Sequence, residues 1–148
     1  MRPPKRLLKP EPGLVIRYSY LWLREHIEGR EEGVKDRPCA IVAAAFDRDG
    51  STQVIVLPVT HAPPDREAVT LEIPPLVKQS LGLDNARSWV VISEYNQFTW
   101  PGPDLRRIGD RSESSIAYGF LPPNFFGELQ RRYLALGPSG SQRVTRTE

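Results

Sequence analysis

The chain has 148 residues, 39% hydrophobic and 26% charged, with a net charge of +2, a pI near 8.8, a single cysteine (Cys39) and two histidines (His26 and His61). That length suits one domain with its own core. One cysteine excludes an intrachain disulfide, and so few soft ligands argue against a Cys/His zinc cage, so no metal or cofactor is expected. The longest apolar stretch, Pro38–Phe46, falls far short of the ~20 residues of a membrane helix. The basic N-terminus has no hydrophobic signal core, and the expectation is a cytoplasmic protein without a membrane role.

Residues 1–12 are rich in Pro, Lys and Arg, with Arg2, Lys5, Arg6 and Lys9 ahead of the first acid, Glu11, and are predicted to be a flexible basic arm. Gly13 opens a strand in which Leu14, Ile16, Tyr18, Tyr20 and Trp22 fall on one face. Residues 24–36, with two glycines and five acids against three bases, are predicted to be a long charged loop. Next comes Lys35-Asp36-Arg37-Pro38, an apolar run to Phe46, the turn Asp47-Arg48-Asp49-Gly50, and a second apolar run ending on Pro58-Val59-Thr60-His61. This is the pattern of a hairpin of two buried antiparallel strands, with Gly50 taking the positive φ of the turn.

The hairpin brings Arg37, at the mouth of its first strand, and Thr60, at the exit of its second, to one end. A guanidinium beside a hydroxyl can hold a phosphate, because Arg offers forked donors to its oxygens. The alternative for each is plain: a surface ion pair for Arg37, a β-branched strand residue for Thr60.

Beyond a proline-stiffened loop at 61–66, residues 68–73 alternate as a strand, and Pro75 starts a short helix over 76–81 that Gly82 closes. Residues 88–98 form one further strand, running into the turn Trp100-Pro101-Gly102-Pro103, and 104–108 form a last short one. A helix over 122–136 carries the apolar stripe Phe125, Leu129, Tyr133 and Leu136, Gly137-Pro138 stops it, and 137–148 are predicted to be a disordered tail. The sum is a single mainly β domain over 13–136: a small, strongly twisted barrel of five to six strands with a short helix and a C-terminal amphipathic helix.

At this level the sequence resembles the PemK/MazF family of toxin–antitoxin toxins. The features that carry the resemblance are Gly13-Leu14-Val15-Ile16, Arg37-Pro38 before an apolar strand, Val56-Leu57-Pro58-Val59-Thr60, Leu81-Gly82-Leu83 ahead of Ser88-Trp89-Val90-Val91, and the closing helix 125–136. The resemblance implies an SH3-like barrel, a homodimer, and an endoribonuclease that cuts single-stranded RNA by 2′-hydroxyl attack without metal or cofactor. It also implies a cognate antitoxin that covers the RNA groove. The catalytic Arg and Thr of the family fall on Arg37 and Thr60.

His61, directly after Thr60, is a candidate general base or RNA ligand, against the alternative of a solvated loop histidine. Lys35, Glu94, Asn96 and Trp100 are the candidate RNA contacts. Glu94 is equally a structural strand carboxylate, and Trp100 equally a packing residue. The arginine-bearing segment that follows the penultimate strand in the family is replaced here by 95–104. A non-catalytic alternative is a CcdB-like gyrase inhibitor or an SH3-like nucleic-acid or protein-binding module, which has no use for an Arg/Thr pair.

Overall fold

The computed structural model describes residues 9–29, 35–66, 69–109 and 115–146. Most of the basic arm expected over 1–12, and residues 30–34 of the charged loop, lie outside the described residues. The elements are β1 (Leu14–Tyr18), α1 (Leu23–Ile27), β2 (Arg37–Phe46), β3 (Thr52–Thr60), β4 (Thr70–Glu72), α2 (Pro75–Ser80), β5 (Trp89–Val91), β6 (Glu94–Thr99), β7 (Ala117–Phe120), α3 (Pro123–Gly140) and β8 (Gln142–Thr145).

The hairpin of β2 and β3 is the centre of the sheet, turning at Gly50 with φ 86°. Its register pairs Cys39 with Pro58 and Phe46 with Thr52, shifting by one residue between Ile41 and Ala43. Such a bulge bends the strand and sharpens its twist. The far edge of β3 is shared: Gln53–Val56 pair with β6, and Val59 and Thr60 pair with β5. Pro58, with no N–H to give a ladder, lies between the two stretches.

The expected closed barrel does not form. The sheet runs β4-β5-β3-β2-β1-β7, with β6 and then β8 branching from β3, so β4, β7 and β8 are all edges. With only three residues each, β4 and β5 are too short to carry the ladder round to β7.

Alternation along the strands divides the core in two. Val15, Ala40, Val42, Leu57 and Val59 face one side, and α3 packs on them through Leu129, Phe125, Tyr133 and Leu136, the stripe seen in the sequence. Leu14, Ile16, Tyr18, Cys39, Ile41, Val54 and Val56 face the other, where Tyr18 stacks on Phe98 at 4.6 Å.

Four local expectations are corrected. The strand expected over 88–98 is two, because the chain breaks pairing at Ile92-Ser93 between β5, which lies between β4 and the end of β3, and β6, which pairs with the start of β3. Residues 104–108 make only a single bridge, Tyr18 to Leu105, and β7 takes the place beside β1. Part of the charged loop folds as α1, whose first turn is held by Glu25 accepting from Trp22 N. The tail is ordered as far as it is described: β8 runs parallel to β6, with Val144 and Arg146 buried.

Among the described residues no helix is long and apolar enough to cross a membrane.

Candidate functional site

Continuing the β2–β3 register past Cys39–Pro58 sets Arg37 opposite Thr60, and directly opposite residues project to one face of a sheet. There the β2–β3 pairing has ended at Cys39–Pro58, while Thr60 keeps its other edge paired with Trp89 of β5, and a hollow opens on the β2 side. A cavity of about 760 Å³ occupies it, within the range of ligand-binding clefts. Arg37, Thr60, His61 and Lys35 all line it, together with Trp22, Arg24, Lys78, Asp84 and Ser88.

Arg37 is half-buried. Its guanidinium donates to the Val59 carbonyl at 3.2 Å and lies over the Trp22 ring, 4.9 Å from the centroid. It has no carboxylate partner among the described residues, and burial lowers its pKa from the usual arginine value. With one Nη donor given to Val59 O and Nε buried, the remaining Nη hydrogens are what Arg37 offers to an incoming anion. Arg24 and Lys35 are likewise without a carboxylate partner among the described residues, whereas Asp36 stands 3.8 Å from Arg17. The walls are therefore cationic where they are not balanced, which favours a negatively charged ligand.

Thr60 is partly exposed, and its hydroxyl oxygen accepts from Ala62 N at 3.1 Å, a local turn that leaves the O–H proton for another acceptor.

His61 is less available than its position suggested. Nδ1 is 3.0 Å from the Arg87 carbonyl and 3.1 Å from Ser88 Oγ, and Nε2 is 2.9 Å from Asp84 Oδ2. Both ring nitrogens are occupied, so neither offers a free lone pair to a substrate proton. The other side of this cluster is Lys78, buried on α2, whose ammonium donates to Asp84 (2.6 Å), Ser88 Oγ (2.7 Å) and the Ala86 carbonyl. Lys78, Ser88, His61 and Asp84 close a ring of side-chain contacts that fastens the 81–88 loop to the exit of β3. The hydrogen bond from Lys78 is the main reason the Asp84 carboxyl is held below its ordinary range.

The remaining sequence candidates are elsewhere. Asn96 is fully buried: its side chain accepts from Leu21 N at 2.9 Å and donates to Leu21 O at 2.7 Å. Glu94 accepts from Leu23 N at 2.9 Å and from Tyr20 Oη at 3.1 Å. Trp100 packs beside Phe98 against the second core cluster. None of the three lines the cavity; all three organise the neighbouring chain.

Burial raises the Glu94 carboxyl above the usual glutamate value. A raised folded-state value favours folding only while the group is protonated, so that contribution is lost as pH rises through the glutamate range. Gln at this position keeps the accepting oxygen and carries no charge. Urea titrations of Glu94→Gln and wild type should therefore show the variant gaining stability relative to wild type as pH goes from about 4 to 7, where unperturbed glutamate ionises. A constant difference across that range would refute the assignment.

Trp22, Arg24, Lys78, Asp84 and Ser88 were not singled out as site residues by sequence. Lys78 did carry a signal: it lies three residues before Leu81, on the helix face that is buried.

Among known proteins, neither a family model nor a curated relative matches the chain.

Proposed function

We propose that the chain is the toxin of a toxin–antitoxin pair of the PemK/MazF kind, an endoribonuclease that cuts single-stranded RNA at the Arg37–Thr60 cleft. The observation that carries this reading is that Arg37, without a carboxylate partner among the described residues, lines one cavity with Thr60, and that the unbalanced charges of its described walls are cations.

RNA brings its own nucleophile. The 2′-hydroxyl gives its proton to solvent water as its oxygen attacks the adjacent phosphorus, the bond to the 5′-oxygen breaks with a proton delivered to that oxygen, and the products are a 2′,3′-cyclic phosphate and a free 5′-hydroxyl. The enzyme's work is to hold the phosphate and to stabilise the charge that builds on its non-bridging oxygens. In this mechanism Arg37 carries that charge and is the candidate proton donor to the leaving oxygen. Thr60 donates its O–H to a non-bridging oxygen, and Lys35 and Arg24 draw the flanking backbone in. His61, with both nitrogens engaged, holds the loop and is not the base at rest. The same reading makes the protein a cytoplasmic homodimer with a cognate antitoxin as partner.

The test is cleavage of a long single-stranded RNA in excess EDTA. Wild type should leave 2′,3′-cyclic phosphate ends, and Thr60→Val, which keeps the β-branched shape and removes the donor, should be slower by about 10²-fold, the cost of one oxyanion donor. Intact RNA with folded wild type would overturn the nuclease and turn attention to the non-catalytic readings, gyrase binding first.

A further inference from the structure

We infer that Trp22 is a positioning residue for Arg37, and that the segment 19–23 exists in its observed form to hold the indole under the guanidinium. The inference rests on the nuclease reading of the cleft for its kinetic consequence, and on geometry alone for the contact.

Arg37 is a long side chain with several rotatable bonds, and one hydrogen bond to Val59 O does not fix the plane of its guanidinium. The indole face supplies the second constraint: at 4.9 Å from the centroid the cation is within the range of an attractive ring contact, and Arg stacks on aromatic faces as Lys does not. Two anchors on opposite partners, a carbonyl of β3 and a ring from the 19–23 segment, define where the forked donors point.

The ring is itself immobilised through its backbone. Ser19 N donates to the Asp104 carbonyl at 2.9 Å, and Ser19 O accepts from Arg146 at 2.5 Å. Asn96 grips both backbone groups of Leu21, and Glu94 takes Leu23 N. Trp22 N, between them, is taken by Glu25. The stretch 19–23, running from the end of β1 into the first residue of α1, thus has side chains from β6 and from Arg146 spent on its backbone. Those bonds keep Trp22 in place and, through it, Arg37. Asn96 and Glu94, expected as RNA contacts, act on the reacting phosphate only at second hand.

Two measurements test this. With arginine side chains labelled with ¹⁵N, wild type should show an Arg37 guanidinium signal displaced by the indole ring current, told apart from those of Arg24 on the same ring, Arg87 over Trp89 and Arg146 over Tyr18 by its loss in Arg37→Lys. In Trp22→Leu the Arg37 signal should lose its displacement while those of Arg87 and Arg146 keep theirs; in Trp22→Phe the Arg37 displacement should persist, because a ring is retained. With a fluorogenic single-stranded oligoribonucleotide, Trp22→Leu should lower kcat about 10–100-fold, the scale of a misplaced catalytic group, with KM within about twofold, and Trp22→Phe should restore most of the rate. An Arg37 signal indifferent to Trp22→Leu would overturn the inference. So would a raised KM at unchanged kcat, which would make the indole a substrate contact. A displaced signal in a wild-type protein that cuts no RNA would sustain the contact and sink the nuclease reading alone.

Discussion

Replacing Arg37 by lysine is expected to cut the rate of RNA cleavage by about 10²–10³-fold, the loss typical of one preorganised charge donor. Lysine keeps the positive charge, so a purely electrostatic attraction for RNA would survive the change. It loses the fork that meets two phosphate oxygens together and the planar cation that lies on Trp22. Stability should barely move, because Arg37 is half-exposed, has no ion pair among the described residues and makes one hydrogen bond, worth about 0.5–1.5 kcal/mol. Single-turnover cleavage beside a thermal melt separates the two effects. A rate within a few-fold of wild type would show that the fork does no chemistry.

Removing Arg146 is expected to be the most damaging single change to the fold. Its side chain is 1% exposed and its guanidinium is 3.0 Å from Asp104 Oδ2, itself buried, while it also donates to Ser19 O and Asn96 Oδ1 and lies over Tyr18. Breaking a buried pair from one side costs about 3–5 kcal/mol, and Asp104 would be left with the longer 3.9 Å approach of Arg106. For a chain of this size that is roughly 10 °C or more in Tm. Arg146→Ala should show that loss in urea denaturation, and Asp104→Leu added to Arg146→Met should recover part of it by removing the buried carboxylate along with the cation 3.0 Å from it. If the single variant costs under about 1 kcal/mol, below the range for a buried pair, the C-terminal end is not holding the core.

What could be read from the sequence was whatever depends on neighbours along the chain. The alternation of Leu14, Ile16 and Tyr18, the Gly50 turn and the stripe on α3 are periodic or local signals, and each is present in the fold. That Arg37 and Thr60 come to one end of the hairpin, where both line the cavity, was legible for the same reason, since a hairpin fixes its own register. Polar residues whose partners are remote were not. Gln142–Arg146 is polar and follows Gly137-Pro138-Ser139-Gly140, which is the composition of a tail. Its order comes from Asp104, Asn96 and Ser19, which the linear sequence does not bring near it. Likewise Lys78 is buried only because residues 84–88 return three acceptors to it. The barrel failed to close for a reason of length, the brevity of β4 and β5, and strand ends are where sequence patterns are least informative.

The bond from Arg146 to Ser19 joins residues 127 apart. During synthesis the first strand and the central hairpin are available long before that partner exists. Until residue 146 has been added, the 19–23 segment lacks one of its ties and β6 lacks its outer neighbour. Contacts of such separation close late and slowly, since the loop entropy must be met before they contribute. The arrangement of Trp22 beneath Arg37 is in that sense completed late, by residue 146 acting on residue 19.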